Sequence, residues 1–376
     1  FMKNGSKICQ KGIFNFYLFD KKMKIKKETL FFIAKCLTIS LEEKNRDEIE
    51  LILKKTDVDW DDVVKVSTSH YVFPAIYFNF KRTNFLKYLP SDLVDYMKHI
   101  ANLNKVRNTQ IIQQSKKLNS LLLNNGIRPI FLKGTGNLLE GLYEDIGERM
   151  IGDIDFLFSN VNSLKAIDIL KRDNYAKEES QIDHFPGFRH YSRLVKEKNI
   201  AAVEIHKDVI IEKYRDEFNC KIITQDTQII NDFSVLSFEN QLSLSIITSQ
   251  INDYGFELKK FSLRNAYDIF LLSKKADTKR VISKFKKLKK PLNCFVANCS
   301  LVFGDLESLK YYKTEESKNY IKAFNNSFNK NKSNIKNKLK RITINFNRRF
   351  GIVCNSILNS ENRKWLLNRI KKRIYD

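Results

Sequence analysis

Apolar residues recur at intervals of three and four through the first third of the chain, which predicts amphipathic helices from about Glu28 to Asn125. The longest such segment begins at Pro90 and ends before Gly126. Proline suits the first turn of a helix, and glycine suits its C-terminal cap. The pattern therefore predicts one helix of roughly thirty residues after a series of shorter ones.

Beyond Gly126 the pattern changes to short apolar segments. Residues 127–133 and 151–158 are typical of strands, and residues 135–146 between them are typical of a short helix. A helical segment follows, and then FRHYSRLVKEK and NIAAVEIHKDVI alternate between apolar and polar residues like two paired strands. This order predicts a small mixed sheet, and helical periodicity returns beyond Ser237.

These patterns predict an α+β fold with three regions. They are an α-helical N-terminal region over 1–104, a mixed α/β core over 105–215 and an α-helical, basic C-terminal region over 216–376. The 376 residues are 43% hydrophobic, which is enough for packed cores. No stretch of about 18 uncharged apolar residues occurs in the sequence. We therefore expect a cytoplasmic protein without a transmembrane segment.

The chain is strongly basic, with 67 Lys and Arg residues against 43 Asp and Glu and a formal net charge of +24. More than half of this excess lies in residues 321–376, where only Glu361 and Asp376 are acidic. Such a surface attracts polyanions, and RNA is one partner that this region would suit. The six cysteines include no CxxC pair, which indicates neither a zinc site nor a disulfide framework.

Asp153 and Asp155 are the first candidates for chemistry. In a strand successive side chains alternate, so both carboxylates lie on one face, with Cα atoms about 6.5 to 7 Å apart. Two carboxylates so placed repel each other unless a cation lies between them, and Mg²⁺ prefers such oxygen ligands. A lone Asp-x-Asp also occurs by chance at the exposed edge of a strand, so the pair needs supporting features.

Three features support the pair. Lys133-Gly134-Thr135 joins a strand to a helix, where glycine lets the backbone approach a phosphate and the helix N-terminus offers N–H groups; an ordinary turn is the alternative. Arg149 lies between two glycines and would reach a triphosphate, the aspartate pair or a surface carboxylate. Glu204 lies in the apolar strand AAVEIHKDV, where it supplies a third carboxylate or faces solvent.

The order and spacing of these motifs resemble the uncharacterised nucleotidyltransferase family of the DNA polymerase β superfamily. The resemblance runs from about Leu89 to Asp208 and continues weakly through LRNAYDIFLL. The positions that carry it are Leu132-Lys133-Gly134, Leu142-Tyr143, Arg149, Asp153-Ile154-Asp155 and Val203-Glu204-Ile205-His206. Two positions depart from the expected pattern: Thr135 stands where a serine is usual, and Lys207 stands where we expect a tryptophan.

The resemblance implies a small mixed-sheet core that carries a metal site. Asp153, Asp155 and Glu204 are its expected catalytic residues, and they would bind two Mg²⁺ or Mn²⁺ ions. His190 and His206 are predicted as accessory residues of the same site. A purely structural role is the alternative for His190.

The resemblance also implies nucleotide binding at the Gly134 turn, by Lys133, Gly134, Thr135 and Arg149. The predicted reaction moves a nucleoside monophosphate from an NTP to an acceptor hydroxyl of an RNA, a protein or a small molecule, and pyrophosphate leaves. A glycosyltransferase that uses Asp-x-Asp with a nucleotide sugar is the alternative enzyme. A nucleic-acid-binding protein without catalysis is the non-enzymatic alternative.

Overall fold

The structure, a computed structural model, describes residues 26–158, 162–178, 185–328 and 333–375. Residues 1–25 of the predicted N-terminal region lie outside the described residues. The described chain is mostly helical and contains a seven-stranded mixed sheet. The predicted α+β class is therefore confirmed.

Within the described residues, five α-helices precede the sheet. They are α1 (Lys27–Cys36), α2 (Glu43–Lys55), α3 (Trp60–Ser69), α4 (Phe73–Arg82) and α5 (Ser91–Asn124). Helix α5 has 34 residues and confirms the long helix predicted from the sequence. Pro90 immediately precedes it, and Gly126 just beyond its end has a φ of 72°, a conformation that favours glycine.

The sheet has the strand order β3-β4-β5-β2-β1-β7-β6. Its strands are β1 (Ile130–Phe131), β2 (Asp153–Leu157), β3 (Ala176–Lys177), β4 (Leu194–Val195), β5 (Ala202–His206), β6 (Thr227–Ile230) and β7 (Phe233–Leu236). Strand β2 runs parallel to β5 and antiparallel to β1, whereas β1 runs parallel to β7. The two strands that carry the acidic motifs, β2 and β5, are therefore neighbours.

The two faces of β2 have different surroundings. Ile154 and Phe156 are fully buried, and they face away from Asp153 and Asp155 because successive side chains alternate. Phe156 packs edge-on against Phe131 of β1, with ring centroids 4.9 Å apart. The apolar face anchors β2 in the core, and the opposite face presents the carboxylates.

Buried amide side chains of α5 hold the segments that lead into β2 and β5. Asn104 and Asn108 donate to the Arg149 carbonyl oxygen at 3.2 and 2.7 Å. Gln114 donates to the Ala201 carbonyl oxygen at 2.8 Å and accepts from the Ala201 N–H at 3.1 Å. Buried polar groups are costly without partners, so these bonds fix where the two strands begin.

Further helices lie between and after the strands. In the described residues they are α6 (Lys133–Glu140), α7 (Asn162–Arg172), α8 (Cys220–Ile223), α9 (Phe238–Ile247), α10 (Gly255–Leu258), α11 (Leu263–Ser273), α12 (Thr278–Ser283), α13 (Lys289–Phe303), α14 (Glu315–Asn326), α15 (Ser333–Leu358) and α16 (Ser360–Tyr375). Helix α5 continues across the first predicted boundary at residue 104, and strands β6 and β7 lie beyond the second at residue 215. The division into three regions stays a prediction. In the described parts of the chain, no helix combines the length and the apolar character needed to span a membrane.

Candidate active site

Asp155 and Glu204 lie side by side because β2 and β5 are parallel and pair in register at these residues. Lys133 Nζ lies 2.7 Å from Asp155 Oδ1 and 4.0 Å from Glu204 Oε2. The ammonium group thus bridges two carboxylates whose side chains are only 9% and 14% exposed. Lys133 has a φ of 52°, in the left-handed region that is unfavourable for lysine, and the ion pair with Asp155 helps to hold it there.

His206 completes this cluster from the end of β5. Its Nε2 lies 2.8 Å from Asp155 Oδ1, 3.2 Å from Lys133 Nζ and 3.8 Å from Glu204 Oε2. Its other ring nitrogen, Nδ1, lies 3.3 Å from the Asp208 carbonyl oxygen, which orients the ring. The side chain is 1% exposed, so the imidazole forms a buried wall of the cluster.

Asp153 has its own cation, Arg193, which precedes β4. The Arg193 guanidinium forms an ion pair with Asp153. It also lies 3.4 Å from Glu178 Oε2 and 3.7 Å from Glu204 Oε1. Glu204 therefore lies between two positive groups, the Lys133 ammonium and the Arg193 guanidinium.

The three carboxylates differ in how strongly their surroundings favour the charged form. Burial alone would raise the pKa of Asp155, but the Lys133 charge and the His206 hydrogen bond hold this pKa below its ordinary value. Burial and repulsion by the two aspartates raise the pKa of Glu204 to about 7, although Lys133 opposes the shift. Burial also raises the pKa of Asp153, although Arg193 opposes it. Near neutral pH Asp155 is charged, whereas Glu204 readily exchanges a proton.

The pKa values of the two basic groups around Asp155, Lys133 and His206, shift in opposite directions. Burial disfavours the charge of Lys133, but Asp155 and Glu204 outweigh it and raise the pKa of Lys133. Burial and the nearby Lys133 charge lower the pKa of His206, against the attraction of Asp155. At neutral pH the lysine is the cation of this cluster, and the histidine is a neutral imidazole, the form that binds metals.

The turn from β1 to α6 is tied to β2 next to the carboxylates. A Cβ on Gly134 would lie 3.4 Å from Ile151 Cγ1 and 3.5 Å from Arg149 Nη2, so the turn packs directly against Ile151 and Arg149. Thr135 Oγ1 donates to the Asp153 carbonyl oxygen at 2.8 Å. The Thr135 hydroxyl therefore positions the strand that carries the aspartates.

Arg149 belongs to a second charged cluster, formed with Asp268 of α11. Its Nε and Nη2 donate to both Asp268 oxygens at 2.9 to 3.1 Å, and Tyr143 donates to the same carboxylate at 2.8 Å. Its Nη1 donates to the Met150 carbonyl oxygen at 2.7 Å. Although burial opposes the charge of Arg149, Asp268 keeps the pKa of Arg149 above its ordinary value. All three guanidinium nitrogens are engaged within the protein.

The structure thus brings most of the residues predicted from the sequence to one place. Gly134 and Thr135 adjoin the carboxylates, and the His190 ring lies beside that of His206, with centroids 5.3 Å apart. Arg149 contacts the Gly134 turn but pairs with Asp268. The residues that meet in the central cluster are Lys133, Asp153, Asp155, Glu204 and His206.

Three arginines near these clusters were not predicted from the sequence as site residues: Arg189, Arg193 and Arg264. Burial lowers the pKa of Arg189, although Asp253 and Glu204 oppose the shift. Burial and the Arg149 charge lower the pKa of Arg264 to about 10, and its Nε is buried without a hydrogen-bond partner in the described residues. The Arg-x-Tyr-x-Arg alternation at 189–193 is typical of a strand with both arginines on one face, and it could have indicated Arg189 and Arg193. No local pattern marks Arg264.

The donor atoms of the central cluster suit a divalent cation. One ligand atom from each of Asp155, Glu204 and His206 lies within 4.8 Å of the others. Mg²⁺ and Mn²⁺ prefer carboxylate oxygens, and the imidazole extends the choice to softer ions. Lys133 Nζ contacts all three groups, so a metal ion bound there would take over its role as counter-charge.

The chain matches a known family of proteins. The sequence model of a family described as uncharacterised nucleotidyltransferase matches residues 56–303, well over half of the chain. The matched segment includes both charged clusters and ends before α15 and α16. No curated protein and no solved structure matches the chain.

Proposed function

The chain belongs to the uncharacterised nucleotidyltransferase family, and from this premise we propose that it transfers a nucleoside monophosphate from an NTP to an acceptor hydroxyl at the Asp155–Glu204 cluster. Membership in this family indicates nucleotidyl transfer, the activity that the sequence resemblance predicts. It also disfavours the glycosyltransferase and the non-catalytic alternatives. The residues, the metal ions and the acceptor remain our proposal.

The observation that carries the proposal is the pairing of the carboxylates with internal cations. Lys133 bridges Asp155 and Glu204, and Arg193 bridges Asp153 and Glu204. Three carboxylates around two positive groups is the charge pattern of a site that accepts two divalent cations. We propose that Asp153, Asp155 and Glu204 hold Mg²⁺ or Mn²⁺ when nucleotide binds, and that the two side-chain cations then turn to the phosphates.

In the proposed reaction the acceptor oxygen forms a bond to the α-phosphorus of the NTP, and the bond from that phosphorus to the β-phosphate bridging oxygen breaks. The hydroxyl proton goes to Glu204, the carboxylate paired with Asp155 across the two strands. Pyrophosphate leaves with the electron pair of the broken bond. The divalent ions would supply charge stabilisation for the attacking and leaving oxygens.

Phosphate binding is assigned to the cations that surround the Gly134 turn. We propose that Lys133, Gly134 and Thr135 contact the triphosphate, and that Arg189 and Arg264 supply further positive charge. Direct contact of Arg149 with nucleotide stays a prediction. Its bidentate bond to Asp268 and its contact with Gly134 favour an indirect role, in which it holds the turn in place.

Calorimetric titration with each of the four NTPs, in Mg²⁺ and again in EDTA, tests the site. We expect metal-dependent binding of at least one NTP and its loss in the double variant Asp153→Asn, Asp155→Asn. Asp216→Asn is the matched control, because Asp216 forms an exposed pair with Lys287. Equal binding by wild type and the double variant would contradict the proposed site.

The acceptor is tested separately with the NTP that binds. Release of pyrophosphate and transfer of label to an RNA pool, to protein and to small hydroxyl compounds distinguish the three acceptor classes. We propose to test RNA first, because the chain as a whole is strongly basic, with a formal net charge of +24. Label transfer to protein or a small molecule, with none to RNA, would remove that assignment and leave nucleotidyl transfer intact.

A further inference from the structure

Helix α15 carries a narrow exposed apolar stripe that no described residue covers. The stripe consists of large side chains at intervals of three and four, each 48 to 70% exposed: Leu339, Ile342, Phe346, Phe350, Val353 and Ile357. This spacing places them on one side of the helix. Two other positions contact the rest of the protein: Ser356 is buried, and Lys340 Nζ donates to the Glu257 carbonyl oxygen at 3.2 Å.

The charges beside this stripe are all of one sign. The sequence of α15 contains six Lys or Arg residues and no Asp or Glu. Lys338 and Arg349 are exposed along one edge of the stripe. In the following helix α16, Glu361 is the single acidic residue.

We propose that the α15 stripe and its basic flanks form a docking surface for an anionic lipid membrane, independently of the nucleotidyl transfer proposed above. A helix with apolar side chains on one side and Lys or Arg beside them lies in the plane of a membrane surface, with its apolar side chains among the acyl chains. The basic groups then meet the lipid phosphates. The helix does not cross the membrane in this arrangement.

The charges argue against a second copy of the chain as the occupant. Stripes of this spacing also pair two helices in coiled coils, but such pairs use opposite charges beside the stripe. Because α15 has no acidic residue, two copies would bring Lys and Arg together in either orientation. RNA would satisfy the basic groups but would leave Leu339, Ile342, Val353 and Ile357 exposed, because aliphatic side chains do not stack on bases as aromatic rings do.

Helix α16, which directly follows α15, is linked to the proposed active site by aromatic contacts. Trp365 of α16 contacts Phe185, with ring centroids 6.4 Å apart. The rings of Phe185, Phe188, His190 and His206 then follow one another at 5.6, 4.6 and 5.3 Å. A continuous series of rings thus connects the second helix of this pair to the buried imidazole of the catalytic cluster.

Flotation of the full chain with lipid vesicles tests the proposal. We expect binding to vesicles of phosphatidylglycerol and phosphatidylcholine, and weak or no binding to phosphatidylcholine alone. The double variant Phe346→Ser, Phe350→Ser should lose at least about tenfold in partitioning, because two apolar rings no longer insert. Lys338→Gln, Arg349→Gln should weaken binding more at low salt than at high salt.

The control is Leu164→Ser, Ile229→Ser, which removes two apolar side chains of similar exposure, each 63%, from other elements. It should bind vesicles as wild type does, and circular dichroism checks that each variant is folded. Three results would overturn the proposal: no binding to anionic vesicles, equal binding by Phe346→Ser, Phe350→Ser, or equal binding to neutral vesicles. Light scattering and RNA titration then assign the surface to a second copy or to RNA.

Discussion

Two charged clusters adjoin the Gly134 turn, and they differ in how their charges are balanced. In the Arg149–Asp268 cluster, one guanidinium meets one carboxylate through several hydrogen bonds, and Tyr143 adds another. In the Asp155–Glu204 cluster, Glu204 shares each of its neighbouring cations with an aspartate.

The pKa shifts reflect this difference. Asp268 keeps Arg149 charged against the cost of burial, whereas Glu204 has a pKa raised to about 7 by burial and by neighbouring aspartates. A balanced buried pair contributes to the fold and has no need of a ligand. A cluster with excess negative charge binds added cations and exchanges protons, which is what a catalytic site requires. We therefore expect a structural role for the Arg149–Asp268 cluster and propose the chemical role for the Asp155–Glu204 cluster.

The largest expected effect is the loss of activity in Asp155→Asn. Removing this carboxylate removes a proposed metal ligand, so we expect pyrophosphate release to fall at least about a thousandfold per folded molecule. The pKa of Asp155 is lowered in the fold, so its charge stabilises the protein and the variant should unfold somewhat more easily. Asp216→Asn should keep full activity. Near-normal turnover by Asp155→Asn would exclude Asp155 from the reaction.

For Asp268→Asn we expect a loss of stability with little loss of activity, the reverse of Asp155→Asn. Leaving the buried Arg149 guanidinium without its carboxylate should lower the free energy of unfolding by about 3 to 5 kcal/mol, as measured by urea denaturation. Activity per folded molecule should change by less than about tenfold, because Asp268 does not touch the proposed metal site. The double variant Arg149→Met, Asp268→Leu should recover part of the stability, since no unpaired charge remains. Loss of activity without loss of stability would instead place Asp268 in the reaction.

The same two clusters show what the sequence reveals and what it does not. Asp153, Asp155 and Glu204 could be found because alternation along a strand is a local property, and an acidic motif in an apolar strand is visible without the partner. The partner of Arg149 was not visible, because Asp268 lies 119 positions away and depends on how α11 packs. Strands β6 and β7 were also missed, since β7 joins the sheet beside β1, about a hundred residues earlier in the chain.

Glu140 differs from the carboxylates of both clusters because its hydrogen-bond partners are neutral amides. Gln228 and Gln241 both donate to its Oε2, while burial raises the pKa of Glu140 to about 7. The folded state therefore keeps a proton that the unfolded chain loses at lower pH. The contribution of Glu140 to the free energy of unfolding should be largest below about pH 4.5, fall by about 1 to 2 kcal/mol as pH rises towards about 7, and then level off.

Glu140→Gln tests this dependence, because glutamine keeps the shape and cannot titrate. Urea unfolding at pH 5, 6, 7 and 8 should show a flatter profile for the variant, with a gain over wild type at pH 8. A profile identical to wild type would show that other groups cause the pH dependence.

The effect most specific for the turn is expected from a matched pair of glycine substitutions. A Cβ on Gly134 would make ordinary contacts at 3.4 and 3.5 Å, whereas a Cβ on Gly136 would lie 2.7 Å from the Phe131 carbonyl oxygen. Gly136→Ala must therefore shift the backbone and should destabilise the fold by about 1 to 3 kcal/mol. Gly134→Ala should leave the unfolding free energy within about 1 kcal/mol of wild type but weaken NTP binding about tenfold, because its methyl group contacts Ile151 and Arg149 and shifts the turn that we propose contacts the phosphates. Calorimetry and urea unfolding on both variants separate the two effects, and unchanged NTP affinity in Gly134→Ala would remove this turn from the nucleotide site.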